Sequence, residues 1–214
     1  MFKLYHFKAS CSLATHIALE EAGLSFQLEA VNIGAGVPRS DAYLAKNPLG
    51  RVPLLELDDG RVLSEVPAIL EFIASAAPEK ALLPGDPWLK AKASEWMSLF
   101  VSSVHPTFLG FFRPERYVRD SAAQEALRAD SRGQFLALLE VVERRLPQKG
   151  WVLGENYSLC DAYAVIFFLW ARHFEFPLAQ FPRYTALARH VLARPATQRA
   201  LQSEGLAGPT KTAA

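Results

Sequence analysis

Cys11 is the residue on which covalent chemistry is most easily built. It follows Ser10 where an apolar strand, residues 2–7, should hand over to a helix, residues 11–22. A thiol at a helix start feels the positive end of the peptide dipoles, which lowers its pKa and raises its thiolate fraction. Lys8 and His16 would add to that field. The chemistry would be nucleophilic attack, or a mixed disulfide with a small thiol. The competing reading is a small buried hydrophobe at a helix start. Cys160 is the only other cysteine and there is no Cys-x-x-Cys, so a self-contained dithiol couple is not expected. Ser10, Ser12 and Tyr5 offer hydroxyls that would stabilise a thiolate by hydrogen bonding.

A second constellation lies in residues 47–70, NPLGRVPLLELDDGRVLSEVPAIL. Asn47-Pro48-Leu49-Gly50 is turn chemistry. Two short apolar runs joined by Asp58-Asp59-Gly60 read as a hairpin. Val52-Pro53 is a candidate cis peptide at a strand start, since proline cannot donate a ladder bond. There the backbone of Val52 could pair with an extended peptide as an added strand would. Next to it, a helix beginning at Glu65 with Pro67 in its first turn offers free N–H groups to a carboxylate. Together these features form a docking edge for a small anionic peptide; a hairpin followed by a capped helix with no ligand remains the plainer alternative.

A third candidate is His105. On a helix beginning near Trp88, the apolar side carries Trp96, Phe100, Val101, Val104 and Phe108. Glu95, Ser98, Ser102, His105 and Leu109 recur on another side at helical spacing. Pro106 removes a helix hydrogen bond and frees the Ser102 carbonyl, which predicts a kink. A histidine beside a kink is a proton donor or acceptor near neutral pH, or an ordinary surface or interface histidine.

The elements that must position these groups follow from the order of patterns. Strand, helix, strand (residues 26–33, read as buried on both faces), a short helix (41–46), hairpin and helix occupy about the first 80 residues. That order predicts a thioredoxin-like α/β domain over 1–78. Residues 79–87 are rich in proline and read as a linker. Residues 88–206 read as an all-α domain with helices over 88–112, 121–146, 161–174 and 184–204, and 207–214 as a tail. Tyr157-Ser158-Leu159-Cys160-Asp161 opens an all-apolar run, so Ser158 and Asp161 read as a structural capping box at a buried helix, with Cys160 an inert thiol.

Composition narrows the function classes. The 214 residues are 50% hydrophobic with a formal net charge of +1. Neither nucleic acid nor a membrane surface is expected as the main partner. No apolar run reaches the ~18 residues of a membrane span, and the start MFKLYHFKAS lacks a signal-peptide pattern. Two cysteines make neither a disulfide framework nor a cysteine metal site, so a reducing, cytoplasmic setting without a metal is expected.

The chain resembles the glutathione transferases, most of all the bacterial beta class. The resemblance is carried by Ala9-Ser10-Cys11-Ser12-Leu13-Ala14 with His16, by Asn47-Pro48-Leu49-Gly50-Arg51-Val52-Pro53, and by Leu57-Asp58-Asp59-Gly60. Ser64-Glu65 with Pro67-Ala68-Ile69, Glu95-Trp96, Ser102-Ser103-Val104-His105, and Ser158 with Asp161-Ala162-Tyr163 extend it. Arg194-Pro195-Ala196 and Glu204-Gly205-Leu206 carry it to the C-terminal region. It implies a homodimer of two-domain subunits performing detoxifying conjugation, with glutathione as co-substrate and no metal. It implies that Val52, before a cis Pro53, pairs with the cysteinyl backbone, that Glu65 and the N–H of Val66 hold the γ-glutamyl end, and that Cys11, Ser10, His105 and Ser102 surround the sulfur. A hydrophobic electrophile would meet Phe108, Phe111, Phe112 and Trp170.

Several positions depart from the family pattern. The loop after the second strand usually holds a lysine and here reads Ile33-Gly34-Ala35-Gly36-Val37, so Arg39 or Arg51 would have to compensate. Val66 replaces a serine or glycine, Ser98 stands where asparagine is common, and Phe7-Lys8-Ala9 lacks the usual Pro-Gly. Each lost charge-assisted contact is worth about 1 kcal/mol or more. Three readings follow: conjugation of glutathione to hydrophobic electrophiles, thiol transfer through a glutathione–Cys11 mixed disulfide, and a non-enzymatic binding or assembly module with a drifted pocket.

Overall fold

The computed structural model of the chain describes residues 1–34, 36–37 and 39–206. Ala35 and Pro38 of the glycine-rich loop, and the 207–214 tail expected from the sequence, lie outside the described residues. The chain divides into two compact units, Met1–Leu83 with the chain from Val191 on, and Pro84–His190.

The first unit is a four-stranded sheet with order β2-β1-β3-β4, built from β1 (Phe2–His6), β2 (Phe26–Ala30), β3 (Leu54–Glu56) and β4 (Val62–Ser64). β1 and β2 run parallel, with Leu4 opposite Leu28, while β3 pairs antiparallel with both β1 and β4. Side chains alternate across a strand, and β1 uses both faces. Leu4 is fully buried and His6 packs edge-on to His16 of α1 (Ser12–Ala22), whereas Tyr5 packs with Tyr43 of α2 (Asp41–Lys46). The strand reading of residues 26–33 was too long and too buried. β2 is an edge strand that ends at Ala30 with Gln27 and Glu29 exposed, and Val31 and Ile33 pack beyond it against the Tyr5–Tyr43–Leu54 cluster. α1 stops at Gly23 in the left-handed region, as its residue type requires. α3 (Val66–Ala76) buries Val66, Ile69, Leu70 and Ile73.

The sequence pattern suggested one helix over 184–204. Two are present, α8 (Pro182–Leu192) and α9 (Pro195–Ser203). The break falls at Arg194, because the residue before a proline is driven out of helical backbone; its ψ is 135°. Residues to 206 were expected with the helical domain, but α9 packs on α1. Arg194 pairs with Glu21, with Nη2 at 2.8 Å, and Arg199 pairs with Glu20 at 2.6 Å.

The second unit contains α4 (Pro87–Leu99), α5 (His105–Phe112), α6 (Ser121–Arg145), α7 (Leu159–His173) and most of α8. Between α4 and α5 runs a π-helical turn, Phe100–Val104, closed by the His105 N–H donating to the Phe100 carbonyl. The turn just before Pro106, where a kink was expected, is thus π-helical and carries one extra residue. α5 and α6 cross closely at Gly110, where an added Cβ would lie 2.4 Å from Ser131 Oγ. α7 is buried along most of its length, and Tyr184 of α8 donates its hydroxyl to the Ala164 carbonyl at 2.5 Å.

Asp161 does what its spacing predicts. Its carboxylate accepts from Ser158 N–H at 2.7 Å, Ser158 Oγ at 3.0 Å and Val152 N–H at 2.7 Å. It has no exposed surface, and burial pushes its pKa up to about 6 against the pull of those donors. Cys160 is likewise fully buried, and burial raises its thiol to about 12.

Candidate active site

The turn after β1 is the centre of the first unit's chemistry. Ser10 N–H bonds back to the Phe7 carbonyl at 3.1 Å, and Ser10 Oγ accepts from Ser12 N–H at 3.2 Å while lying 2.8 Å from Ser12 Oγ. Cys11 takes the N-cap position of α1. Its Sγ donates to the Val52 carbonyl at 3.5 Å, so the turn and the Val52-Pro53 edge meet as the sequence suggested. The Val52-Pro53 peptide is cis.

The electrostatic expectation for Cys11 does not hold. The helix start was expected to depress its pKa, yet the thiol is 8% exposed and burial raises it to about 12. The N–H groups at the helix start pull downward but lose to desolvation, with the Glu65 charge adding to the rise and Arg51 opposing it. Cys11 therefore carries its proton at neutral pH in this arrangement and is a hydrogen-bond donor rather than a thiolate.

The docking edge continues around Val52. Tyr43 Oη and Asn47 Nδ2 both donate to the Arg51 carbonyl, at 2.6 and 2.8 Å, and lock the loop's shape. Gly50 is at φ 59°, and a Cβ there would press on Arg39 Cγ at 3.0 Å, so this turn requires glycine. Glu65 is exposed at the N-cap of α3 with φ 70° and ψ 124°. Residues other than glycine rarely hold a positive φ, and backbone strain of this kind clusters at active sites and ligand clamps. The Val66 side chain is buried, so only its backbone can serve a ligand. Of the two cations offered as substitutes for a loop lysine, Arg39 is engaged by its own loop. Its Nε donates to the Gly50 carbonyl at 2.9 Å, and Nη1 to the Val37 carbonyl. Arg51 is exposed.

In the second unit, Ser102 is exposed, and its Oγ donates to the Ser98 carbonyl at 2.7 Å. His105, half-buried, packs against Trp170 at 5.2 Å and Phe167 at 6.0 Å. Trp170 stacks on Phe108 at 4.5 Å, and Phe108 continues to Phe112 at 5.7 Å and Phe111 at 5.9 Å. Phe108 and Phe111 are 2% and 8% exposed and belong to this unit's aromatic core with Phe135, Phe174 and Phe176. Of the four aromatics assigned to an electrophile, Phe112 and Trp170 retain the accessible surface.

Comparison with known proteins decides the family. The sequence matches the glutathione S-transferase N-terminal domain over residues 9–76 and the glutathione S-transferase C-terminal domain over residues 100–195. It is 32% identical to a glutathione S-transferase of Escherichia coli O157:H7 over 206 residues, covering 95% of this chain and 99% of that one. The chain belongs to the glutathione S-transferase family. The fold agrees with a Sulfitobacter glutathione transferase homologue solved with bound glutathione: TM-score 0.90, 30% identity, 97% of this chain and 99% of that one. It agrees also with the beta class enzyme of Sphingomonas chungbukensis: TM-score 0.83, 31% identity, 96% and 100% covered.

One set of contacts was not expected from the sequence, where Glu204 enters only as part of the C-terminal resemblance. Glu204, just beyond α9, has a fully buried carboxylate. It accepts from Ala9 N–H at 3.1 Å and lies 3.0 Å from His16 Nδ1 and 3.6 Å from His6 Nδ1. Burial raises its pKa, but the His16 bond, the nearby His6 imidazole and the Ala9 N–H together outweigh that and hold it below the ordinary value. His16 and Glu204 are 188 residues apart, and no local spacing signals such a contact.

Proposed function

We propose that the protein is a glutathione transferase that binds reduced glutathione on its α/β unit and delivers the thiolate to hydrophobic electrophiles. The observation that carries this reading is the junction of Cys11 with the Val52–cis-Pro53 edge, beside the strained Glu65 cap. Val52 would pair with the cysteinyl backbone as an added strand does. Glu65 would take the γ-glutamyl ammonium, and the first N–H groups of α3, with Val66 among them, its carboxylate. Arg51 is the cation left for the glycyl end.

Protonated Cys11 suits a donor's role. Its S–H and the Ser10 hydroxyl would stabilise the glutathione thiolate, whose lone pair then forms the new C–S bond while the leaving group departs with its electrons. On the helical unit, His105 and Ser102 keep the roles that the family resemblance gives them, His105 as a proton-handling group. Phe112 and Trp170, backed by Phe108 and Phe111, are assigned to the electrophile. A homodimer in the cytoplasm completes the proposal.

Calorimetric titration with reduced glutathione tests the reading. Saturable binding at about −8 to −4 kcal/mol, micromolar to low millimolar, is expected. Cys11→Ala should abolish thiol transfer and only modify conjugation; equal loss of both in a folded variant would refute that separation. The engagement of Arg39 within its own loop and the buried Val66 side chain favour a second reading, a non-catalytic module with a drifted pocket. Absence of both heat and competition would put that reading first.

A further inference from the structure

Two segments meet where Cys11 touches Val52, and they are held differently. The turn after β1 is tied over long range: Lys8 Nζ donates to the Gly205 carbonyl at 2.9 Å. The Val52 edge is closed at short range. Lys46, the last residue of α2, donates to Glu56 Oε1 at the end of β3, ten positions on, and the loop bearing Val52 and Pro53 runs between them. Tyr5 of β1 completes the cluster. Its hydroxyl donates to Glu56 Oε2 at 2.6 Å, and the Lys46 ammonium lies 5.5 Å from its ring centroid. The sequence offered that hydroxyl to a thiolate; in the fold it is committed to Glu56.

The two ends of this loop differ in support. β3 is fixed by its ladders to β1 and β4 and by buried Leu54 and Leu55. α2 is six residues long and buries only Tyr43, and helices shorter than ~12 residues are marginal by themselves. Ser40 Oγ caps its start, accepting from Tyr43 N–H at 3.2 Å. Lys46 ties its end to Glu56. That end carries the donors that shape the edge: Tyr43 Oη and Asn47 Nδ2 both hold the Arg51 carbonyl, one residue before Val52. A lone exposed ion pair is worth little. Here the Lys46 side chain is 36% exposed and that of Glu56 17%, and the Tyr5 hydroxyl orders the carboxylate. The Lys46 bond, with the Tyr5 bond behind it, holds Glu56 below the ordinary carboxylate range.

We propose that Lys46 is a positioning residue: paired with Glu56, it closes the loop bearing the Val52 edge and keeps Tyr43 and Asn47 on the Arg51 carbonyl. Without the pair, the end of α2 frays and both donors leave Arg51 together. The edge then has to be ordered by whatever binds it, which lowers affinity. The effect on binding rests on the glutathione reading, but the closure of the loop does not.

Amide exchange in the full-length protein, read by mass spectrometry on peptides spanning residues 47–53, reports the closure directly, because the Leu49 and Gly50 N–H groups both bond to Asn47. Wild type, Lys46→Met, Lys46→Arg and Arg61→Met are compared beside Tm and the calorimetric Kd for reduced glutathione. Lys46→Met should exchange about fivefold faster over 47–53 and bind glutathione about fivefold more weakly, the scale of one partly exposed charged bond. Peptides from β1 should stay within about twofold of wild type. Lys46→Arg should also stay within about twofold, since a guanidinium can reach Glu56 and stack on Tyr5. Arg61→Met removes the exposed Arg61–Asp59 pair of the neighbouring hairpin and should leave residues 47–53 unchanged.

The proposal is overturned if Lys46→Met stays within about twofold of wild type over 47–53, or if β1 or Arg61→Met rises equally. It is overturned also if Lys46→Arg is as fast as Lys46→Met, or if the loop opens while glutathione binds as in wild type. Should Lys46→Met not fold, Glu56→Gln replaces it under the same thresholds. Failure of wild type to bind glutathione would remove the function proposed above, and the exchange comparison would then decide the loop closure by itself.

Discussion

Asp161 in the helical unit and Glu204 in the α/β unit are both buried carboxylates at helix ends, and both accept a backbone N–H bond from outside their own helix. Their pKa values nevertheless move in opposite directions. Asp161 is met by two backbone N–H groups and one hydroxyl, all neutral, and burial dominates. Glu204 is met by one backbone N–H and two imidazoles; burial again is the largest single effect and pushes its pKa up, but these contacts together outweigh it. The number of donors is similar; what differs is whether a donor can itself carry charge. One carboxylate is a structural cap that tolerates its own ionisation, while the other is better held charged than neutral.

The largest way to break this comparison is Asp161→Ala. It orphans three donors at once and should cost about 3–5 kcal/mol in chemical denaturation. A loss below about 1 kcal/mol would mean that water replaces the carboxylate and the cap is not truly buried.

pH sharpens the contrast because the signs differ. Asp161 has a raised folded pKa, so it stabilises the native state below its unfolded value and loses that contribution as pH rises through about 6. From an ordinary 3.8 to about 6, this is on the order of 3 kcal/mol. Glu204 has a depressed folded pKa, so its contribution is present above about pH 4.3 and is lost on further acidification through the folded value. The stability gap between wild type and Asp161→Asn should therefore widen from pH 7 to 4, while the gap to Glu204→Gln should close below about pH 4. Two gaps that change in the same direction would refute the contrast.

A smaller effect separates packing from charge. Gly110→Ala touches neither carboxylate, and its clash with Ser131 Oγ should cost about 2 kcal/mol at every pH. Ser131→Ala in the same chain should recover part of it. A pH-dependent cost would show that the helical unit couples its packing to Asp161.

Legibility in the sequence followed locality. The Asp161 box needs only a four-residue spacing, Gly23 and Pro53 are read from residue type, and the Cys11–Val52 meeting is what the family resemblance implies. The depressed thiol did not survive, because a helix end predicts a field but spacing says nothing of burial, and burial was the larger effect at Cys11. The break before Pro195, inside the helix expected over 184–204, is legible from residue type, since X-Pro restricts the preceding residue. Glu204 was not legible: its partners are set by how α9 lies on α1, which no window around it encodes. That the core takes Phe108 and Phe111 while Phe112 and Trp170 keep accessible surface was not legible for the same reason, since an aromatic stripe does not reveal which ring is buried.

The bond between Lys8 and Gly205 closes a loop of 197 residues. A growing polypeptide can complete the sheet once β4 has been made, but the turn bearing Cys11 must wait until the ribosome has passed Gly205. Through most of synthesis the first strand and helix exist without the segment that clasps them. The thiol-bearing turn is therefore among the first parts of the chain to be made and among the last to be locked.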